Sequence, residues 1–562
     1  MRGLVVTASP RRFFPERPGS HTGPRHTVTV RSLVVLSLIL LAFALRAGGL
    51  AWGAPLDAHT GYYHPDERKI ARGAIDFPAD ILTRSDLRYP TGYHYAVGTL
   101  ALPLRWLMPR LWPDADVFLA VFMLARLTTL ALGILSVALL YALGLRFYGP
   151  AAGLVAAAFL AIVPIHVIHG AWATLDVPTA FLAILALWAC DRVMTRPTWG
   201  NSVLLGLASG LLIGTKYPGA VIVVPALLAH LIGRHRAAPE RGWLRTILDP
   251  HILLYAAVTL ATTLATTPTI LLHPEHLLAA VRYESARQGL GGLSGLEADL
   301  LWDALGGLET VAGRAIGWFF ALGTLAALYR PTRREVILLA FLVPYYLALG
   351  DRAGGRYLII LLPVYCLLAG RLVWLVLRGI GPRPIPRAAI VGIVGIVWLL
   401  GLRESALALE LHHQPDARTS AARYLAEHAP AGSTVCIAQP SEGYPQDWKN
   451  PRVSGELYAV VDCGAQPEWV LWSGGGEQRV EEALASPLLG ADYTWDPAQA
   501  DAWPDDKIPS PEMLRFYEAV LPGRDGARDY GEVALFENVE LPIAPFQVSR
   551  VRVLQRVLQR VR

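Results

Sequence analysis

Apolar positions in this chain come in long runs rather than in the narrow stripes of soluble amphipathic helices. The first, residues 32–51, has about 20 residues, enough for a helix to cross a ~30 Å hydrocarbon core. Further runs cover residues 117–145, 151–168, 177–189, 203–214, 220–232, 252–272, 311–329, 336–349, 357–377 and 388–402. Several are short for a span and fit best when tilted together in a bundle. The pattern predicts a polytopic α-helical membrane protein of about 11 spans. The 117–145 run exceeds what one span needs, and Arg126 interrupts it, which places the span at 124–145 with Arg126 at its mouth.

Residues 93–108 are apolar enough to resemble another span, and crossing there would reverse every later loop. The arginines decide between the two topologies. Without a crossing, one side receives the N-terminal arginines, Arg146, Arg192/Arg196, Arg234–Arg245, Arg330–Arg334 and Arg378–Arg387. All short basic loops then lie on the cytoplasmic side, as positive-inside bias requires. Residues 93–108 therefore read as a helix lying in the outer interface, anchored by Trp106 and Trp112. The 52–116 loop, the turns at His169 and Lys216, the 267–310 loop, the 350–356 turn and everything after Arg403 face outward. Residues 1–31, rich in Arg, Pro, Ser and Thr, read as a disordered cytoplasmic tail.

After Arg403 the pattern changes. Residues 416–428 form an amphipathic helical pattern closed by Pro430, Gly432 and Ser433. Residues 434–437, 458–461, 469–472 and 532–536 read as strands, and 512–520 as a second helix. This predicts an extracytoplasmic α/β domain over 404–548, following a transmembrane unit over 32–403. Residues 549–562 place Val551, Leu554, Leu558 and Val561 at helical steps among arginines, which predicts a basic amphipathic helix on the membrane surface.

Composition agrees with the pattern. Only 17% of residues are charged and 53% are hydrophobic, against about 25% charged in soluble domains. The net charge of +5 comes with clustered arginines and no nucleic-acid motif, which excludes a nucleic-acid partner. Four cysteines are too few for a disulfide scaffold. Cys190 and Cys366 fall in apolar runs; Cys436 and Cys463, both outward, are candidates for one bridge.

The candidate chemistry lies at outward span ends. In the first outer loop, His64-Pro65-Asp66-Glu67 sets two carboxylates beside a histidine. Asp66 and Glu67 suit a general base or metal ligand; the plainer reading is a helix start, with Pro65 first and acids in the first turn. His166, His169 and Asp176 either line a cleft, the histidines being able to hold a metal, or are ordinary interfacial residues. Lys216, Arg352, Arg356 and Tyr357 either hold a lipid phosphate or snorkel to headgroups. Outward arginines in a short turn run against positive-inside bias, which favours an anionic ligand. His273 and Arg282 belong to a further polar outward loop.

The order of these motifs resembles the GT-C membrane glycosyltransferases, closest to bacterial relatives of protein O-mannosyltransferases and lipid A aminoarabinose transferases. It runs through the Asp66-Glu67 pair, Tyr89-Pro-Thr-Gly-Tyr-His-Tyr95, Arg126, Pro164 with His166, His169 and Asp176, Gly214-Thr-Lys216, Gly355-Arg356-Tyr357 and the Asp416-Ala-Arg-Thr segment. The resemblance covers most of residues 33–435. It implies a polyprenyl-phosphate sugar donor, membrane lipids as surroundings, Asp66 as catalytic base or metal-binding acid, and Lys216 and Arg356 on the donor phosphate. Glu67 stands beside Asp66 as a second catalytic carboxylate. Arg126, Arg352 and Tyr357 join the phosphate site, and His64, His166, His169, Asp176, His273 and Arg282 line the cleft. No cofactor is required; a divalent metal on Asp66, Glu67 or His169 stays open, as do the sugar and the acceptor. The implied location is the inner membrane, multi-pass, with the active site outside. The rival is a transporter or flippase of lipid-linked sugars, which would set ionisable groups near the midplane and often repeat its halves.

Overall fold

The computed structural model describes residues 30–56, 63–239, 246–288, 300–329, 331–349, 355–414, 416–438, 457–461, 467–473, 530–537 and 550–556. Its helices are α1 (Val30–Ala47), α2 (Pro65–Asp76), α3 (Gly92–Leu111), α4 (Val117–Tyr148), α5 (Pro150–Ile162), α6 (Pro164–His169), α7 (Asp176–Thr195), α8 (Trp199–Ile213) and α9 (Val223–Ala237). They continue with α10 (Pro250–Thr266), α11 (Thr269–Leu272), α12 (Pro274–Gln288), α13 (Leu300–Ala312), α14 (Arg314–Leu328) and α15 (Arg333–Leu349). The last are α16 (Leu362–Ile380), α17 (Pro384–His413) and α18 (Ala417–His428).

Among the described residues six helical stretches are long and apolar enough to cross a membrane: α1, α4, α7, Tyr217–Ala237, Gly355–Ile380 and Pro384–Glu410. Four shorter apolar helices, α5, α8, α10 and α14, pack among them. Leu33, Leu36 and Leu40 of α1, and Ile385, Val391 and Ile396 of α17, stay exposed. So much exposed aliphatic surface needs a non-aqueous surround.

The apolar runs became helices, with breaks where proline dictates. The 151–168 run divides at Pro164, which lacks an N–H and crowds the carbonyl four residues back. Two elements re-satisfy the freed carbonyls. Buried Arg46 of α1 donates to the carbonyls of Leu160 and Ala161, each at 3.0 Å, and Ser405 Oγ donates to that of Ile162. The 252–272 run breaks at Thr267-Pro268. The 117–145 run is one helix to Tyr148, so Arg126 lies inside it. Close helix contacts use small residues, as membrane bundles do: a Cβ on Gly153 would lie 2.7 Å from the Tyr141 carbonyl of α4.

α3 contains Pro103 and Pro109 and is not apolar enough to count among the candidate spans. Tyr93, Val97 and Ala101 pack against α2 and the first turns of α4, while Trp106, Leu111 and Trp112 stay exposed.

α7 has a polar cluster at each end. Near its last turn Asp191 pairs with Arg146, which follows the apolar part of α4, and with Arg334 of α15 at 3.3 Å. Asp176 opens it, roughly 22 Å away at 1.5 Å per residue.

α17 runs past residue 403 to His413, whose neighbour His412 meets the Trp52 ring edge-on at 4.6 Å. The domain beyond has a five-stranded sheet of order β2-β1-β3-β5-β4, with β1 (Thr434–Ala438), β2 (Ala459–Val460), β3 (Trp469–Ser473), β4 (Tyr530–Glu537) and β5 (Arg550–Arg556). β1 pairs parallel with β2 and β3; β5 pairs antiparallel with β3 and β4. Ala417, Ala421 and Leu425 of α18 cover Val435, Ile437, Trp469 and Leu471.

The predicted tail helix over 549–562 is corrected: Arg550–Arg556 is a strand inside the sheet. Arg550-Val551-Arg552-Val553 alternates with period two and is β-branched at the apolar positions, and two strand partners outweigh a local helical stripe that is marginal at this length. Residues 557–562 and the predicted helix 512–520 lie outside the described residues. Cys436 is disulfide-bonded; Cys463 lies outside the described residues. Cys190 and Cys366 are buried free thiols.

α18 also fastens the first loop. Arg418 chelates Asp416 at 2.7 and 2.8 Å and lays its guanidinium 3.7 Å from the Tyr63 ring centroid, and Tyr63 hydroxyl bonds to Thr419. Tyr63 directly precedes the His64-Pro65-Asp66-Glu67 segment.

Candidate active site

α2 begins as its sequence dictates. Pro65 occupies the first turn and His64 is the N-cap, its Nδ1 accepting the Asp66 N–H at 3.2 Å. The capping role and a chemical role coexist here. Successive helical residues point about 100° apart, so the two acids diverge.

Glu67 turns inward. Its carboxylate takes both Nε and Nη2 of Arg126 at 2.7 Å, and also accepts the Ala173 N–H at 2.8 Å. Arg126 donates further to the Leu50 carbonyl and lies over the Phe122 ring. Neither side chain of the pair is exposed at all. Glu67 and Arg126, expected as a second catalytic carboxylate and a phosphate-binding cation, engage each other as a buried clasp joining the first loop, α4 and the turn before α7. Removing one partner from a buried pair costs about 3–5 kcal/mol, because the other charge stays buried and unpaired. Glu67→Gln is expected to lower the melting temperature and the folded yield in detergent, with activity falling only in proportion; a thermal-shift assay beside a transfer assay checks this.

Asp66 turns the other way, to a cluster built from distant segments. Its Oδ2 lies 2.5 Å from Arg356 Nη1, and Tyr89 hydroxyl donates to Oδ1 at 3.4 Å. Asp176 Oδ1 lies 2.5 Å from Lys216 Nζ, and its Oδ2 is 3.3 Å from His169 Nδ1. The His64 and His169 rings meet edge to face, centroids 5.6 Å apart. Both cations flank Tyr357, Lys216 at 5.3 Å and Arg356 at 5.7 Å from the ring centroid. Tyr345 hydroxyl fixes that turn by donating to the Tyr357 carbonyl. Lys216 follows Gly214, where a Cβ would sit 1.9 Å from Thr266 Oγ1 and whose carbonyl accepts the Gly92 N–H at 2.9 Å. That close approach ties the Lys216 turn to the start of α3.

Burial acts to raise the Asp66 carboxyl, but the Arg356 guanidinium, with smaller help from Lys69, outweighs it and holds it below the ordinary carboxylate value. Burial pushes the His64 imidazole well down and the His169 imidazole down, so both stand neutral near pH 7. Burial, then the Asp66 charge, raise the Tyr89 hydroxyl, which remains a donor. Two carboxylates thus face two cations, with neutral imidazoles between them.

Of the residues expected in the cleft, His64, Asp66, His169, Asp176, Lys216, Arg356 and Tyr357 come together. His166 does not: it is fully buried, with Nδ1 2.7 Å from Arg46 Nη2, and completes the Arg46 brace at the Pro164 break. His273 bonds to Glu275 and Arg282 is exposed on α12; among the described residues neither is joined to the Asp66 cluster by a hydrogen bond or ion pair. Arg352 lies outside the described residues. Asp66, Glu67 and His169 do not converge as a metal-ligand set, since the Glu67 oxygens are taken by Arg126 and Ala173. Tyr89 was missed as a site residue, although its Tyr-Pro-Thr-Gly segment stood out in the sequence.

Residues 115–271 match the model of the family described as dolichyl-phosphate-mannose-protein mannosyltransferase. That match, which spans α4 to α11 and includes His169, Asp176 and Lys216, bears out the resemblance to GT-C membrane glycosyltransferases. No curated protein matches the chain. Among solved structures the chain is similar to the oligosaccharyltransferase AglB of Archaeoglobus fulgidus in complex with an inhibitory peptide and a dolichol-phosphate. The identity is 14% and the TM-score 0.48, covering 90% of this chain and 79% of that one. It is also similar to ArnT from Cupriavidus metallidurans bound to undecaprenyl phosphate, at 14% identity and TM-score 0.49, covering 94% of this chain and 98% of that one. The S. cerevisiae Pmt1-Pmt2 complex bound to the sugar donor matches at 18% identity and TM-score 0.31, over 45% of this chain and 35% of that one.

Proposed function

We propose that the protein transfers a sugar from a polyprenyl-phosphate donor to an acceptor hydroxyl at the outer face of the inner membrane. The observation that carries this is the convergence of Asp66, Asp176, Lys216, Arg356 and Tyr357 at one end of α7. Lys216 and Arg356 offer two cations to one phosphate, Arg356 with a planar fork. Asp66 offers the base. The acceptor oxygen attacks the anomeric carbon as its proton passes to the Asp66 carboxylate. The bond from that carbon to the phosphate oxygen breaks, and its electron pair leaves with the polyprenyl phosphate. Lys216 and Arg356 meet the charge that develops there. Attack opposite the leaving group inverts the anomeric centre. A phosphate that shares Arg356 loosens its hold on Asp66 and makes the carboxylate a stronger base when the donor is bound.

Deleting the gene is expected to remove one envelope glycan species while its polyprenyl-phosphate sugar accumulates, both read by mass spectrometry. An unchanged glycan and lipid profile overturns the assignment.

The proposed orientation puts the Asp66 cluster outside and the Arg146–Asp191–Arg334 cluster inside, with about 11 spans and α3 lying in the interface. A reporter fused after Asp116 is then expected to read periplasmic, and one fused after Arg146 cytoplasmic. The opposite pattern at both points reverses the topology.

A further inference from the structure

The corner between α11 and α12 carries the sequence His273-Pro274-Glu275-His276, and among the described residues no hydrogen bond or ion pair joins it to the Asp66 cluster. It is held by its own backbone. His273 N–H donates to the Thr269 carbonyl at 2.8 Å, and His276 N–H donates to the His273 carbonyl at 3.1 Å. Pro274 starts α12 in its first turn, so the two imidazoles are presented on a fixed elbow rather than on a loose strand. Their rings stack with centroids 5.0 Å apart and planes 19° apart, and His273 Nδ1 lies 2.9 Å from Glu275 Oε1.

One nitrogen from each histidine and one Glu275 oxygen lie within 4.8 Å of one another. His276 Nδ1 is closed off from solvent and has no hydrogen-bond partner among the described residues. A buried ring nitrogen without a partner costs free energy that a bound cation would recover. Donor atoms that close need only side-chain rotation to reach the ~2.0–2.2 Å metal–ligand lengths of zinc.

We infer that His273, Glu275 and His276 form a binding site for one zinc-like transition-metal cation, separate from the Asp66 cluster. Two imidazoles and a carboxylate are a zinc donor set with a fourth position left to water. Imidazole donors select against magnesium and calcium, which take oxygen ligands. The cation braces the α11–α12 corner. That corner reaches the first loop through Thr269, whose hydroxyl donates to the Ile81 carbonyl at 3.0 Å.

The test titrates zinc chloride into the full-length chelator-stripped protein in detergent and follows heat and bound metal. One equivalent is expected to bind. His273→Ala and His276→Ala are each expected to weaken it by at least roughly tenfold, since even second-shell partners of a metal cost about 10–100-fold. Both side chains are partly exposed, and gel filtration of the metal-free variants checks that they fold like wild type. Cobalt in place of zinc is expected to give a visible d–d band that the double variant lacks. Three results overturn the inference: no zinc bound by wild type, unchanged zinc stoichiometry and affinity in the double variant, or equal competition by magnesium or calcium.

Discussion

Asp66→Asn is expected to reduce sugar transfer by about 10²–10⁴-fold, the usual contribution of a positioned general base, while the protein inserts and folds. Asparagine keeps the shape and one acceptor oxygen for Arg356, so the loss falls on proton transfer more than on packing. The contrast with the neighbouring acid makes the test sharp. Glu67 is wholly buried against Arg126, whereas the Asp66 side chain retains some exposure beside Arg356. Glu67→Gln should therefore lose stability first and activity in proportion, and Asp66→Asn should lose activity with little change in melting temperature. Turnover measured against the folded fraction, in the same detergent preparation, separates the two. Wild-type turnover by Asp66→Asn would remove the base from the mechanism.

The contrast between these adjacent acids also shows what sequence reading reached and what it missed. The apolar runs, the positions of Asp66 in the first loop and of Asp176, Lys216 and Arg356 at the starts of helical stretches, and the strands at 434–437 and 469–472 were legible. Each rests on a local pattern or on where a charge falls relative to a span. The separate fates of Asp66 and Glu67 were not legible, because two acids in one helical turn differ only in which partner each meets. Glu67 meets Arg126, 59 residues away. His166 looked like a companion of His169, yet its partner is Arg46, which lies inside the first apolar run and braces the Pro164 break. Pro164 was the signal that could have found this: a proline inside an apolar run frees carbonyls, and a buried arginine is one way to satisfy them. The tail at 550–556 carried both a helical and an alternating pattern, and the choice depended on pairing with β4 and with β3, the latter far from it in sequence.

Arg356→Gln is expected to cut transfer by roughly 10²–10³-fold, the scale of losing one donor to a developing anion, and also to move the pH profile. The sign follows from the forces on Asp66. Burial raises its carboxyl and Arg356 is the largest influence lowering it, so the intact protein keeps Asp66 ionised below the ordinary carboxylate value. Activity that needs the carboxylate is present above that value and is lost as pH falls through it. Without Arg356 the raising effects of burial and of the Asp176 charge remain, opposed by the weaker Lys69 contribution. The Asp66 carboxyl then rises, and the acid limb of the pH–rate profile shifts to higher pH. Arg356→Lys keeps the charge but not the fork, so it should restore the acid limb more fully than the rate. Reading both limbs for wild type, Arg356→Gln and Arg356→Lys distinguishes a residue that only binds donor from one that also sets the base. An acid limb unmoved in Arg356→Gln would mean that Arg356 does not control the ionisation of Asp66. An unchanged rate would take it out of the phosphate site altogether.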